Sequence, residues 1–422
     1  MARLSSLTSR ALAHAGFRKY LKSTGWFLGG RIVTMIISFL ATLYIARNLG
    51  PTNYGQLSYA VSLIGVIGFI APLGLDSIVY RELIKTPERK SALLGTALIL
   101  KLIAGVLTAA IAAVLAFTLK TDDVSRILIL ILAGTFVITP FQVVSFEFLA
   151  RSKSNYQALT SIGVTILLNL AKVAIIASGK GVIYISITLL AEPLVYALTY
   201  LYIYARTASH DIRSWTWERA TASSLLRDSL PFALLSSFTF IYARIDQVLI
   251  KQFLGATEVG LYDAAVRLVD VWNFIPGAIT SALFPALVNA HTVSPASFTK
   301  RTWRISWLFL AIPVVICSVM FIIAPLLIRE LYGPAFAGSI PVLQIYIWSF
   351  IGTSLGILVQ TYLTVTNERA LIAISAFVPM VINIVLNILW IPQFGTIGAA
   401  YATLISYSLV PLFFVFRRRL AA

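Results

Sequence analysis

Charge is scarce in this chain. Only 12% of its 422 residues are Asp, Glu, Lys or Arg, against about a quarter in a soluble domain. Acids are the scarcer sign, 16 against 33 Lys and Arg. Cysteine is nearly missing, and the lone Cys317 excludes a disulfide framework and any cysteine-based metal site. The three histidines, His14, His210 and His291, lie far apart in loop-like sequence, so no histidine metal cluster is visible. There is no Gly-x4-Gly-Lys-[Ser/Thr] loop, so this chain does not use ATP. No alternating ten-residue pattern suggests a membrane barrel.

Apolar residues fill the space, at 59% of the chain, and the mean hydropathy is +0.89. At about 20 residues per bilayer crossing, that is material for about twelve spans. Apolar runs fall at 25–47, 55–80, 93–117, 127–149, 157–178, 182–205, 229–252, 259–288, 305–328, 339–364, 371–391 and 397–416. The expectation is an all-α polytopic membrane protein. Pro140, Pro193, Pro276, Pro313 and Pro379 fall inside spans, where neighbouring helices must satisfy the freed carbonyls. The first run is too long for a cleavable signal.

The net charge of +17 reads as topogenic rather than as a nucleic-acid footprint, because the cations sort by loop. With the N-terminus inside, one side holds 22: Arg3, Arg10, Arg18, Lys19, Lys22, Arg81, Lys85, Arg89, Lys90, Arg151, Lys153, Arg206, Arg213, Arg219, Arg227, Lys300, Arg301, Arg304, Arg369 and Arg417 to Arg419. The other side holds six: Arg47, Lys120, Arg126, Lys180, Lys251 and Arg329. Both termini are therefore expected in the cytoplasm. The expected organisation is a basic N-terminus (1–24), a six-helix bundle (25–205), a cytoplasmic linker (206–228), a second six-helix bundle (229–416) and a basic tail (417–422). The linker, with Trp215 and Trp217 among cations, reads equally as an interfacial helix or as a solvated connector.

The turn after span 1 reads Leu49-Gly50-Pro51-Thr52-Asn53-Tyr54-Gly55, with Ala60 following. The turn after span 7 reads Leu254-Gly255-Ala256-Thr257-Glu258-Val259-Gly260, with Ala265 following. Leu-Gly-x-Thr-x-x-Gly-x4-Ala thus recurs 205 residues on. An even number of spans per half makes the repeats parallel, related by a pseudo-two-fold axis along the membrane normal. Two bundles around a central cavity is a transporter's architecture.

Five cations remain inside spans: Arg31, Lys101, Lys172, Arg244 and Arg267. Acids within or at the ends of spans include Asp76, Glu147, Glu192, Asp246, Asp263 and Asp270. Each charge at the bilayer centre costs about 2.5–3.5 kcal/mol on insertion scales, so most must face protein or water. The five cations are expected to line the substrate pathway; Asp76, Asp246, Asp263 and Asp270 are the expected coupling or gating acids. Asp263, Arg267 and Asp270 share one helix face. Asp246 and Arg267 both lie about 15 Å from the hairpin turn, deep enough to pair directly. The first-repeat equivalents of Arg244, Asp246, Asp263, Arg267 and Asp270 are Phe39, Ala41, Ser58, Ser62 and Gly65. The charged cluster is therefore not a scaffold common to both halves. Arg31 and Asp76 read equally well as snorkelling residues near the inner ends of their spans.

A cationic cavity selects an anionic ligand, and a membrane setting suits a lipid-linked one. Arg31, Ala46-Arg47-x-Leu49-Gly50-Pro51-x-x-Tyr54-Gly55, and Gly74-Leu75-Asp76 running to Arg81-Glu82 resemble the opening of bacterial O-antigen and polysaccharide flippases. Ser229-x-Pro231, Ile241-Tyr242-x-x-x-Asp246 and Val259-Gly260-x-Tyr262-x-x-Ala265 resemble their second half. The resemblance implies the multidrug/oligosaccharidyl-lipid/polysaccharide exporter fold in a bacterial cytoplasmic membrane. It implies a cargo of undecaprenyl-pyrophosphate-linked oligosaccharide, moved outward by alternating access coupled to H+ or Na+, with no other cofactor. Implied partners are membrane lipids, a polysaccharide polymerase and a chain-length regulator. A small-molecule exporter and an O-antigen polymerase or ligase are the competing classes. The last usually needs a long outer loop, which is missing here.

Overall fold

A computed structural model describes residues 15–150, 154–207 and 214–421. Arg3, Arg10, His14, Arg151, Lys153, His210 and Arg213 fall outside the described residues, and with them part of the basic N-terminus and of the linker. Every regular element among the described residues is helical. That follows from the solvent: in hydrocarbon a helix satisfies its own backbone donors and acceptors. Leu170, Val315 and Ile322 are 63%, 63% and 75% exposed, which suits a lipid-facing surface.

The helices are α1 (Ala15–Ile67), α2 (Leu75–Lys85), α3 (Lys90–Thr118), α4 (Asp123–Ala133), α5 (Thr135–Ile138), α6 (Ser145–Ala150), α7 (Ser154–Ala177), α8 (Val182–Thr207) and α9 (Arg219–Leu254). There follow α10 (Ala256–Asp270), α11 (Phe274–Val293), α12 (Pro295–Leu327), α13 (Ser339–Tyr346), α14 (Ser349–Val365) and α15 (Arg369–Ala421). Among the described residues, nine helical stretches are long and apolar enough to cross a membrane. Both α1 and α15 run 53 residues and break at a glycine, Gly50 (φ 71°, ψ 171°) and Gly395 (φ 64°, ψ −147°). Fifty-three helical residues would extend about 80 Å, far beyond a core of about 30 Å. Gly255 (φ 100°, ψ 179°) and Gly333 (φ 93°, ψ 172°) take the same backbone conformation between helices. Only glycine enters that region without strain.

Four expected spans are interrupted, among them 259–288 at a 3-10 turn, Val271–Asn273, and 339–364 between Tyr346 and Ser349. The run 55–80 breaks between Ile67 and Leu75, with Leu73 at φ 53° and Gly74 at φ 66°. Gly68, Pro72 and Gly74 weaken the helix there, and a Cβ on Gly74 would lie 2.6 Å from the Ala233 nitrogen. The run 127–149 passes through a 3-10 turn, Thr139–Val144, at Pro140, which has no N–H to continue the ladder.

Contacts divide the chain into two compact units. The first comprises the chain up to Thr42, Ile70–Ala113 and Leu130–Ala233. Its core gathers Leu75, Ile78, Leu94, Val144, Phe148 and Tyr204. Beside it Lys90 Nζ meets Glu147 Oε1 at 2.6 Å and lies 5.0 Å from the Tyr204 ring centre. Residues 215–218 of the linker have no regular structure. The Trp215 indole donates to Tyr204 OH at 3.2 Å, and the Glu218 amide donates to Thr96 Oγ1 at 3.0 Å. The second unit comprises Leu43–Phe69, Val114–Ile129 and the chain from Leu234 onward. The units therefore do not follow the halves 25–205 and 229–416. The hairpin at Gly50 and the α3–α4 turn belong with the second half.

Candidate substrate and gating site

The second unit owes its composition to a close helix contact. The part of α1 after Gly50 packs on α10, and residues 205 apart meet each other. Thr52 Oγ1 and Thr257 Oγ1 are 2.9 Å apart, and Ser58 Oγ donates to Asp263 Oδ2 at 2.9 Å. Between these pairs a Cβ on Gly55 would stand 1.8 Å from the Ala256 carbonyl oxygen, and one on Gly260 2.0 Å from that of Pro51. Small residues let membrane helices bring their backbones together in this way. The repeated glycine of the two turns is the point of contact.

One helical turn deeper lies the charge cluster. Asp263 is fully buried and accepts from Tyr54 OH at 2.6 Å, Ser58 Oγ, Gln247 Nε2 at 2.9 Å and Arg267 Nε at 2.7 Å. Arg244 reaches Asp263 at 3.9 Å and Asp270 at 3.7 Å. Ser62 completes the layer by donating to Gln247 Oε1. Two arginines thus balance two aspartates. The buried charge of Asp263 is tolerated in this form, each of its carboxylate oxygens having a donor, while Asp270 is exposed. Arg244 and Asp270 also line a cavity of about 340 Å³ whose other polar walls include Tyr242, Asn273, Gln360 and Tyr407.

Asp246 does not pair with Arg267. Arg244 and Asp246 are two residues apart, about 200° around the helix, so only one of them can face the Asp263 side of α10. Arg244 does. Asp246 turns the other way and accepts from Tyr262 OH at 2.6 Å. From Tyr262 a buried chain of hydroxyl and amide groups continues: Thr403 at 3.4 Å, then Asn383 Nδ2, which donates to Thr403 at 3.4 Å and to Ser406 at 3.2 Å. Asp246 also accepts from the Gln247 backbone amide at 2.8 Å, so both of its carboxylate oxygens have a donor.

In the first unit, Lys101 Nζ meets Asp76 Oδ1 at 2.5 Å and lies 5.0 Å from the Phe146 ring centre. Lys172 Nζ meets Glu192 Oε2 at 3.3 Å. Arg31 is exposed and lines a cavity of about 330 Å³ with Gln142, Gln157, Ser161, Tyr196 and Tyr200. Of the five expected pathway cations, Arg31 and Arg244 line these two cavities. Lys101, Lys172 and Arg267 do not, and each is held by a carboxylate.

Sequence reasoning missed Tyr54, Gln247 and Tyr262 as partners of the acids, and it read Lys251 as a loop cation only. Lys251 Nζ meets Asp122 Oδ1 at 2.5 Å, and Gln56 Nε2 donates to Asp122 Oδ2 at 2.7 Å. Burial alone would raise the Asp122 carboxyl; the Lys251 ammonium and the Ser125 amide and hydroxyl outweigh it and hold the group down to about 2. Asp122 is therefore ionised throughout the physiological range, and this clasp joins α1, the α3–α4 turn and α9 at the level of the hairpin turns.

Comparison with known proteins is consistent with this geometry. The flippase Agl15 of Haloferax volcanii, described as a probable low-salt glycan biosynthesis flippase, is 24% identical over 385 residues, covering 88% of this chain and 78% of the relative. The structure of the lipid II flippase MurJ in an inward closed conformation superposes with a TM-score of 0.75 at 15% identity, covering 93% of this chain and 87% of MurJ. An inward-facing multidrug-resistance MATE transporter of the MOP superfamily gives a TM-score of 0.73 at 15% identity, covering 91% and 94%. The fold is that of the MOP transporters. The family described as Polysaccharide biosynthesis protein matches residues 20–291, and this chain belongs to it.

Proposed function

We propose that this multi-pass membrane protein is a transporter, not an enzyme, that flips a lipid-linked oligosaccharide from the cytoplasmic to the outer leaflet of a bacterial cytoplasmic membrane. The carrying observation is the placement of Arg244 and Asp270 on a cavity in the same unit whose hairpins close on each other at Gly55 and Gly260. A cavity with a fixed cation below a sealed contact is what an anionic cargo requires at the start of an outward passage. The glycan-flippase description of Agl15 supports the cargo class. The finer reading is an undecaprenyl-pyrophosphate carrier lipid, with the Arg244 guanidinium guiding the pyrophosphate or acidic sugars in the cavity of the second unit. Lys101, Lys172 and Arg267 hold their acids until the cavity changes sides.

Coupling to H+ or Na+ belongs to the same proposal. Its seat is Asp246, whose bond to Tyr262 a proton or cation would replace, with Asp263, Asp270 and Asp76 as the pairs remade. A ligand shifts a conformational equilibrium only through differential affinity, and a buried carboxylate with exchangeable partners supplies it. Twelve spans with both termini cytoplasmic are supported by the cation asymmetry. The nine long apolar stretches support them too, because α1 and α15 each exceed two crossings and α9 adds a further 36-residue helix.

Depleting the protein in its own cell is expected to leave the lipid-linked glycan accumulating on the inner leaflet, with surface polysaccharide lost. A small-molecule exporter would leave both unchanged, and loss of a polymerase would place single repeat units on the outer side.

A further inference from the structure

The first unit holds a cavity of about 330 Å³ that its ion pairs do not use. Four segments wall it: α1 at Arg31, the 3-10 turn at Gln142, α7 at Gln157 and Ser161, and α8 at Tyr196 and Tyr200. Gly30 brings α1 against α7, since a Cβ there would already touch Ala158 Cβ at 3.4 Å. The Gln142 amide is fixed by donating from Nε2 to the Pro193 carbonyl at 3.1 Å, which leaves its oxygen to accept. Tyr196 and Tyr200, one helical turn apart, share a face of α8. Their ring centres are 6.0 Å apart and their planes 29° from parallel.

The walls carry one cation, Arg31, and among the described residues no carboxylate lines the cavity. Arg31 is exposed and forms no ion pair among the described residues. Gln157 Oε1 is shielded from water and accepts no hydrogen bond among the described residues. The Tyr196 hydroxyl reaches Ser161 and Thr165 at 3.4–3.5 Å, longer than an ordinary O–H···O bond of about 2.7–2.8 Å. Two amides and a hydroxyl are thus not fully committed to the protein, and they stand beside two rings.

This combination selects a ligand class. Tyrosine offers an apolar body with a polar tip, which suits the C–H face of a sugar ring. Side-chain amides both donate and accept, as sugar hydroxyls do. One guanidinium supplies a bidentate partner for one carboxylate. A metal cation would find no acid here. A pyrophosphate carries more charge than a single arginine answers, and an apolar molecule would leave the amides without partners. The volume is near the lower end of small-molecule sites, about 300 Å³, which suits one ring.

We infer that this cavity recognises one acidic sugar residue, a pyranose bearing a carboxylate, with Tyr196 and Tyr200 against its C–H face and Arg31 on the carboxylate. The inference rests on the flippase reading for the sugar's being part of a lipid-linked glycan; the selectivity of the cavity is independent of it. Arg31 stands toward the start of α1 and Tyr200 toward the end of α8, ends that the cation distribution places inside. Cargo made in the cytoplasm would meet them first.

The full-length protein in nanodiscs is titrated by saturation-transfer NMR with methyl β-glucuronoside and with methyl β-glucoside. The two differ only in a carboxylate against a hydroxymethyl group on the same carbon. The wild type is expected to bind the glucuronoside about tenfold more tightly, the scale of one charge-assisted hydrogen-bonded pair. Arg31→Gln, at an exposed position, is expected to reduce the glucuronoside to the affinity of the glucoside and to leave the glucoside unchanged. Tyr196→Leu is expected to weaken both about fivefold. Should Tyr196→Leu lower the thermal midpoint, the Arg31→Gln titrations decide alone. The assignment is overturned if neither sugar binds, if the glucoside binds as tightly as the glucuronoside, or if Arg31→Gln binds the glucuronoside as the wild type does. It is overturned too if inorganic pyrophosphate displaces the glucuronoside at lower concentration than free glucuronate does. None of these titrations requires transport. Protein that binds the glucuronoside but flips no lipid-linked glycan keeps the site and loses the flippase reading.

Discussion

Asp263→Asn is expected to be the most damaging single substitution in the membrane core. The carboxylate is fully buried and takes hydrogen bonds from Tyr54, Ser58, Gln247 and Arg267. An amide presents an N–H₂ to a ring of donors and leaves Arg267 without its counter-charge. Breaking a buried pair from one side costs about 3–5 kcal/mol. The expected readout is a lower thermal midpoint in detergent and a reduced folded fraction, with transport lost. The double variant Asp263→Asn with Arg267→Gln removes the stranded cation, so stability should recover substantially. Transport should not recover if the network is remade during the cycle. Recovery of both would make the cluster a static brace between α1, α9 and α10.

A disulfide between positions 52 and 257 is expected to stop transport completely and reversibly. The two threonine hydroxyls are already 2.9 Å apart, on the outer side of the glycine contact. In a chain with Cys317→Ser, which keeps the buried donor to the Ile347 carbonyl, Thr52→Cys with Thr257→Cys should cross-link under mild oxidation. The oxidised protein should move lipid-linked glycan no faster than protein-free vesicles, and a reductant should restore the rate. Full transport by the oxidised protein would mean that these hairpins do not part.

Much of this was legible in the sequence because membrane helices announce themselves by apolar length, and because the hairpin motif repeats 205 residues on. That the two copies would touch was not legible. The offset identified Ser58 as the equivalent of Asp263, and the difference between serine and aspartate argued that the cluster belonged to one half. In the structure the equivalents meet, and the first half contributes Tyr54 and Ser58 as donors to the acid of the second. Depth along the helix suggested an Asp246–Arg267 pair, but depth ignores azimuth, and 200° of rotation between residues 244 and 246 decides the matter. The Lys251–Asp122 clasp spans 129 residues, and nothing local in either segment marks it. The interruption at 68–74 was signalled by Gly68, Pro72 and Gly74, which hydropathy passes over because it weighs polarity and not backbone conformation.

The central claim is that this chain moves lipid-linked glycan across a bilayer. The most direct test is purified protein in vesicles carrying a fluorescent undecaprenyl-pyrophosphate-linked oligosaccharide on one leaflet. Accessibility of the glycan to a membrane-impermeant lectin or quencher is followed under imposed H+ or Na+ gradients. The account predicts protein-dependent translocation that one of the two gradients drives and that the Asp246→Asn variant, still folded, uncouples. Glycan that stays on its original leaflet under every gradient, with protein shown to be folded, would contradict it.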